Sequence, residues 1–185
     1  MVRKSLVYRL LMITLMCLVG ICVCGSSDVR ADETNWEVGL QSGWSYSDED
    51  ESFNQTAIIV AHRLPLKWRR WDTLDVGTRL TAMASVLEGG GDTGLLGTLG
   101  LELVIGLGDS PFEVRAGGGA TLMSRYKYGD EDLGGAFQFT SYVGLEYRFL
   151  ESFSGYARAQ HMSNAGIYSE NPAVNMIMMG LRYRF

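Results

Sequence analysis

The chain has 185 residues, of which 46% are hydrophobic, and a formal net charge of −5 at pH 7. This length suits one domain with a sizeable core and excludes two domains of ordinary size. The excess of acidic residues argues against a nucleic-acid partner, because such a partner requires a positively charged surface.

Residues 1–31 have the three parts of a secretory signal peptide. A basic start is followed by an apolar run at residues 10–25, and the sequence Val-Arg-Ala then offers a cleavage site after Ala31. We therefore predict a signal peptide at residues 1–31 and a single mature domain at residues 32–185. The alternative is an apolar run that is retained as a membrane anchor.

All three cysteines, Cys17, Cys22 and Cys24, lie inside the predicted signal peptide. Neither Cys22 nor Cys24 follows the small residue that a lipoprotein cleavage site needs. The mature domain would contain no thiol, although it crosses an oxidising compartment, and would use no disulfide. It keeps 12 basic and 20 acidic residues, a net charge of −8.

From Asn35 onward, apolar and polar residues alternate with a period of two, which is typical of strands with one apolar and one polar face. The alternation is blurred only in places, as at the sequence AIIV. The pattern predicts eight strands, at residues 35–47, 53–64, 72–88, 95–107, 112–124, 136–149, 153–164 and 174–185.

Charged residues stand in the middle of several predicted strands, opposite long apolar rows, as at Arg79, Glu102 and Arg115. This favours an eight-stranded antiparallel transmembrane β-barrel, with apolar rows in lipid and charges paired in a narrow lumen. Side chains fill the interior of so small a barrel, so it forms no pore. The alternating apolar residues that end at Phe185 resemble the terminal signature of bacterial outer-membrane barrels. A soluble, lipocalin-like barrel is the alternative, and it explains neither feature.

The connections between the predicted strands differ in composition. We predict periplasmic turns at the compact or basic segments PLKWRRW, GDSP and LES, and outer loops at DEDES, EGGGD, YKYGDEDLG and AGIYSENPA. With both termini at the periplasmic side, the seventh strand runs outward, and its end at residues 161–164 lies at the level of the outer leaflet.

The seventh strand places a histidine and a serine on one face. Arg158 marks the luminal face, so His161 and Ser163 point toward lipid, beyond a row of small residues, Gly155, Ala157 and Ala159. Positions i and i+2 lie ~7 Å apart along a strand, which lets the imidazole reach the hydroxyl. Because a histidine can accept the serine proton, the pair predicts a Ser–His hydrolase acting on lipid. A polar cap at the membrane interface is the alternative.

The stretch HMSNAG, followed by NPAVN and MGLRYRF, resembles the lipid A 3-O-deacylase family of the PagL type. The resemblance implies an outer-membrane esterase with a Ser–His–Glu triad on the outer barrel surface. Such an enzyme removes the 3-hydroxyacyl chain that is ester-linked at position 3 of lipid A, with no metal or cofactor. The resemblance implies that Ser163 is the nucleophile, His161 the general base, and Asn164, Gly166 and Asn171 the oxyanion hole. For Gly166 and Asn171, turn chemistry is the alternative.

The resemblance fails at the third member of the triad, because the family's glutamate falls at position 175 and this chain has Asn175. An asparagine there can accept a hydrogen bond from the imidazole of His161, but it carries no charge to stabilise an imidazolium. Glu170, in the adjacent loop, is the alternative third member. Two other functions remain open: a non-catalytic barrel that binds lipid or a surface partner, and an acyltransferase.

The partners expected from the resemblance are lipid A and lipopolysaccharide in the bacterial outer membrane, reached after export to the periplasm. A homodimer remains possible. The sequence contains no cluster with metal-ligand spacing. The second histidine, His62, lies near the periplasmic end of its strand, and we predict a lumen or rim position without a catalytic role.

Overall fold

The computed structural model describes residues 35–46, 51–71 and 74–185, so the predicted signal peptide and its three cysteines lie outside the described residues. Among the described residues, no helix has the length and apolar character needed to cross a bilayer. The chain forms the strands β1 (Trp36–Ser45), β2 (Asn54–Trp71), β3 (Leu74–Gly89), β4 (Asp92–Leu107), β5 (Phe112–Met123), β6 (Lys127–Tyr128), β7 (Glu131–Asp132), β8 (Phe137–Arg148), β9 (Phe153–Ser163) and β10 (Val174–Arg184).

Eight of these strands close into a barrel in the order β1-β10-β9-β8-β5-β4-β3-β2, and β6 pairs only with β7. Every pair in the barrel is antiparallel, and the first and last strands pair with each other along Glu37–Ser45 and Met176–Arg184. Closure leaves no open sheet edge, which a lipid environment requires. The predicted eight-stranded antiparallel barrel is confirmed.

Strand β2 is longer than the sequence pattern indicated. The segment PLKWRRW, which we predicted as a periplasmic turn, continues the strand to Trp71. The pairing of β2 with β3 changes register between Arg63 and Lys67, around Pro65. Proline has no N–H to donate to a ladder, so it interrupts the alternation from which the strand was recognised.

Two outer connections also differ from their prediction. The segment EGGGD is not a loop but a tight turn at Gly90 and Gly91, whose φ angles of 53° and 82° are easily reached only by glycine. The segment YKYGDEDLG contains the short β6–β7 hairpin, held by an ion pair of 2.6 Å between Lys127 Nζ and Asp132 Oδ2. The pair is exposed, and it lowers the pKa of Asp132.

Each barrel strand presents one row of side chains outward and one inward. On β4, Leu99 and Leu101 are 60% and 58% exposed, whereas Glu102 is 1% exposed. The apolar rows therefore face lipid, as predicted. His62 also points outward, at the rim near the termini, where its ring lies 4.4 Å from that of Trp36.

The inner end of the barrel, where β1 begins and β10 ends, is filled by buried ion pairs. Arg115 is 4% exposed and lies 2.8–3.0 Å from carboxylates on four different strands. We call the ion-pair network the set formed by Glu37, Glu102, Glu113 and Glu146 with Arg79, Arg115, Arg182 and Arg184. This bears out the prediction of charges paired within the lumen.

The outer end of the lumen is mainly apolar, with a few buried amides such as Gln138 and Gln160 among the apolar side chains. Ten buried side chains fill it, and we call them the apolar plug: Phe53, Leu87, Leu96, Met123, Tyr128, Leu133, Met162, Val174, Met176 and Met178. The hairpin segment contributes two of them, since Tyr128 and Leu133 fold down onto the barrel. Burial raises the pKa of Tyr128 to about 12, so its phenol stays neutral at physiological pH.

We predict that Arg115→Met lowers the free energy of unfolding by about 3–5 kcal/mol, because it leaves buried carboxylates without their shared cation. Urea unfolding of the refolded barrel in detergent micelles, followed by tryptophan fluorescence, measures the change. Arg148→Met is the control, since the Arg148 side chain is 42% exposed and contacts Glu113 at the rim of the barrel. Its loss should stay below about 1 kcal/mol. Equal losses would contradict a central role for Arg115.

Candidate active site

His161 and Ser163 lie near the outer end of β9, on its lipid-facing side. Their neighbours along the chain, Gln160 and Met162, are 2% and 3% exposed and point into the lumen. In the sheet, His161 lies opposite Asn175 on β10 and Ser141 on β8. Four polar side chains thus form a patch at the upper edge of an otherwise apolar surface.

The imidazole of His161 bridges the other two residues of the predicted triad. Its Nε2 lies 3.0 Å from Ser163 Oγ. Its Nδ1 lies 2.8 Å from Asn175 Oδ1. An amide oxygen only accepts hydrogen bonds, so Nδ1 carries the ring proton and donates it to Asn175. Nε2 then presents its lone pair to the serine hydroxyl, which is the tautomer that a general base needs.

Below this pair, a shallow groove runs down the outer surface of β9. Its floor is made of small residues, and Ala157 lies in register between Leu145 on β8 and Met179 on β10. Leu145 and Met179 are 51% and 52% exposed and stand above the floor on either side. The groove starts at Ala159, two residues before His161 on the same face of β9.

The loop after β9 contains the predicted oxyanion residues. The backbone N–H of Asn164 donates to Asn171 Oδ1 at 3.0 Å, and the N–H of Gly166 donates to Asn164 Oδ1 at 2.9 Å. Between them, Ala165 has a φ of 55°, a strained value for a residue with a side chain. The Asn164 amide is fully buried and points away from Ser163. The exposed residue Asn171 keeps its Nδ2 end as a donor.

The alternative third member, Glu170, does not occupy the position beside the imidazole. Asn175 fills it, and Glu170 contributes its backbone carbonyl to the loop by accepting a hydrogen bond of 2.7 Å from Asn164 Nδ2. Within the part of the chain that the structure describes, no group of three or more His, Cys, Asp or Glu side chains is arranged to hold a metal ion.

A protein-family model described as lipid A 3-O-deacylase (PagL) matches residues 56–184, which is more than half of the chain. The chain belongs to the PagL family. The lipid A deacylase PagL of Bordetella bronchiseptica is 36% identical to it over 74 residues, which are 40% of this chain and 42% of that protein. The chain therefore aligns with less than half the length of that relative.

Solved structures share the barrel of this PagL-family chain. The crystal structure of the outer membrane enzyme PagL superposes with a TM-score of 0.71 at 20% identity, covering 80% of this chain and 99% of that one. Neisserial surface protein A gives a TM-score of 0.58 at 12% identity, covering 82% of this chain and 98% of that one. Both likenesses show that this PagL-family chain has the closed-barrel fold of those proteins.

Sequence reasoning missed two features of the PagL-family site. Ser141 lies beside His161 although 20 residues separate them, and Leu133 accepts a hydrogen bond from Asn164. The alternation in β8 does place Ser141 on the lipid-facing side. Its neighbour across the sheet, however, is known only from the register between β8 and β9, which no pattern in either strand specifies.

We predict that neutral His161 carries its proton on Nδ1, because Asn175 Oδ1 accepts it. The ¹⁵N chemical shifts of histidine-labelled protein in micelles report the tautomer. The chain has two histidines, so a His62→Gln variant assigns the remaining signal to His161. Asn175→Leu should convert the signal to a mixture of tautomers. A proton found on Nε2 in the unsubstituted protein would contradict the arrangement and would leave Ser163 without a base.

Proposed function

We propose that this PagL-family barrel is a serine esterase that hydrolyses the ester-linked 3-hydroxyacyl chain at position 3 of lipid A. The observation that carries the proposal is the hydrogen-bonded row of Ser163, His161 and Asn175 on the lipid-facing surface. Polar side chains that face lipid cost free energy, and a row of them in that position therefore indicates a functional site. The name of the Bordetella bronchiseptica relative, lipid A deacylase PagL, supports the choice of substrate.

In the first half of the reaction, Ser163 Oγ attacks the ester carbonyl carbon, and His161 Nε2 takes the hydroxyl proton. The carbonyl oxygen becomes an oxyanion. When this intermediate collapses, the bond between the carbonyl carbon and the sugar oxygen breaks, and the sugar oxygen takes the proton back from His161. The acyl chain is then esterified to Ser163, and the deacylated lipid leaves.

In the second half, water gives a proton to His161 and attacks the acyl–serine ester. Collapse of this second intermediate returns the proton to Ser163 Oγ and releases the 3-hydroxy fatty acid. In both halves an oxyanion forms at the outer side of the groove. Asn171 Nδ2 is our candidate donor among the predicted oxyanion residues, because the N–H groups of Asn164 and Gly166 donate within the loop.

The substrate reaches this site from the membrane itself. Lipid A occupies the outer leaflet, and residues 161–163 lie at the outer end of the lipid-facing surface. The groove over Ala157 would hold the acyl chain parallel to the strand, with the sugar above it at the loops. Moving the chain from bulk lipid into a groove between Leu145 and Met179 exchanges one apolar contact for another, so the transfer involves little change in solvation free energy.

The second candidate function is a non-catalytic barrel that binds lipid or a surface partner. One observation favours it: the third position holds the neutral amide of Asn175 rather than a carboxylate. The amide orients the imidazole but gives the imidazolium of each transition state no opposite charge. We infer a slow esterase rather than an inactive barrel, because the 2.8 Å contact of Asn175 preserves the tautomer on which proton transfer depends.

We predict that the refolded protein removes one 3-hydroxyacyl mass from lipid A, and that Ser163→Ala lowers the rate by about 1000-fold or more by removing the nucleophile. Mass spectrometry of the lipid measures the reaction, and the heat-dependent shift in gel mobility shows that the barrel is folded. Ser45→Ala, a hydroxyl removed at the end of β1, is the control. Unchanged lipid with the folded unsubstituted protein supports the non-catalytic candidate, and a gained acyl mass supports an acyltransferase.

We predict that Asn175→Glu raises kcat about tenfold or more, because a carboxylate stabilises the imidazolium by at least ~1.4 kcal/mol. Asn175→Gln is the matched control, since it adds the same length without the charge and should not exceed the unsubstituted rate. The rates are compared under identical lipid and detergent concentrations. If the Glu variant is no faster than the Gln variant, Asn175 is not the third member of the triad.

A further inference from the structure

Asn164, which follows the proposed nucleophile directly, is the most completely bonded residue of the site loop. It is 0% exposed. Its backbone N–H donates to Asn171 and its Oδ1 accepts from Gly166, so both bonds close the loop on itself. Its Nδ2 donates to the carbonyl of Glu170 at 2.7 Å and to the carbonyl of Leu133 at 3.2 Å. The last bond leaves the loop and reaches the segment between β5 and β8.

The carbonyl of Leu133 also accepts a hydrogen bond from a residue of the barrel wall. Gln138, an inward-facing residue of β8 that is 1% exposed, donates from Nε2 to Leu133 O at 2.9 Å and to Gly135 O at 2.8 Å. An amide nitrogen has two hydrogens, and these two bonds use both. The chain from Gln138 through Leu133 to Asn164 therefore connects the wall of the barrel to the residue beside Ser163.

The segment between β5 and β8 also packs closely against the loop after β9. A side chain at Gly134 would collide with the carbonyl of Glu170, and one at Gly135 would collide with the ring of Tyr168. The φ of Gly134 is 86°, which glycine alone adopts without strain. The segment that contains Leu133 and the loop after β9 therefore approach each other closely at Gly134 and Gly135.

We propose that Gln138 is a positioning residue of this site, acting through Leu133 and Asn164 on the placement of Ser163 and its oxyanion donors. This inference rests on the proposed esterase function. Proton transfer from Ser163 depends on the 3.0 Å contact between Oγ and His161 Nε2, and on donors that stay in place as charge develops. A displacement of about 1 Å can lower a rate 100-fold even when the changed residue is far from the chemistry.

The variant Gln138→Met tests the inference, because methionine has a similar length and cannot donate hydrogen bonds. We expect kcat for lipid A deacylation to fall about tenfold or more while KM changes less than about twofold, since the acyl groove lies outside the barrel and is untouched. The rate at which a fluorophosphonate probe labels Ser163 should fall in parallel. Gel mobility before and after heating shows that both proteins are folded.

Gln41→Met is the matched control. Gln41 is another buried luminal amide, 3% exposed, and it accepts a hydrogen bond of 3.1 Å from the hydroxyl of Tyr156, well below the loops. It should lose similar stability and keep kcat and the labelling rate within about twofold of the unsubstituted protein. Equal losses of kcat in the two variants, or an unchanged kcat in Gln138→Met, would overturn the positioning role.

The two readouts separate this inference from the proposed function. If Ser163 labels normally but lipid A is unchanged, the proposed substrate is wrong, and the labelling rates still test Gln138. If lipid A is deacylated equally by Gln138→Met, only the positioning role fails. Should Gln138→Met not refold, Asn164→Asp breaks the other link of the chain, the bond from Asn164 Nδ2 to the Leu133 carbonyl, together with its bond to the Glu170 carbonyl. It keeps the acceptor for Gly166, and it should lower kcat and labelling in the same way.

Discussion

The structure depends on one constraint: a sheet in lipid must close on itself, and each strand of a closed barrel then divides its residues between lipid and lumen. For β9 this division places Arg158 and Gln160 inside and His161 and Ser163 outside. A hydroxyl and an imidazole two residues apart are thereby held on one surface, 3.0 Å from each other. The same parity places Asn175 on the neighbouring strand at the same height. A hydrogen-bonded row of polar side chains is thus built from strands alone.

Behind this row, the lumen is filled by charged side chains at its inner end and mainly by apolar side chains at its outer end. Charges at the inner end are desolvated, and they are tolerated because each buried carboxylate has guanidinium partners around Arg115. The outer end is closed by apolar side chains, including Met162 and Leu133. Asn164 lies fully buried on top of this plug, and its hydrogen bonds join the loop after β9 to the hairpin segment. The polar row therefore has lipid on its outer side and the filled barrel behind it.

Asn175 gives the site a particular chemical character. The amide oxygen accepts a hydrogen bond from Nδ1 and so fixes the imidazole in the tautomer that the proposed proton transfer from Ser163 requires. Stabilisation of the imidazolium by an opposite charge is lost, because an amide has only a dipole where a carboxylate has a full negative charge. At a lipid-facing surface the local dielectric constant is low and water offers little compensation, so the missing charge matters more than it would in an exposed site. Orientation and charge stabilisation are separate contributions, and this chain has only the first.

Much of this protein is determined by the sequence alone. The period of two, the mid-strand charges and the terminal Phe185 are local patterns, and they predict the barrel and the outward direction of His161 and Ser163. Position 175 was singled out by the resemblance to the PagL family. The continuation of β2 past Pro65 was missed, because a residue that cannot donate to the ladder breaks the pattern. The roles of Gln138 and Leu133 were decided only by the tertiary structure. Their link to Asn164 joins segments that are distant in sequence, and it depends on how the loops pack over the closed barrel, which no alternation of residues encodes.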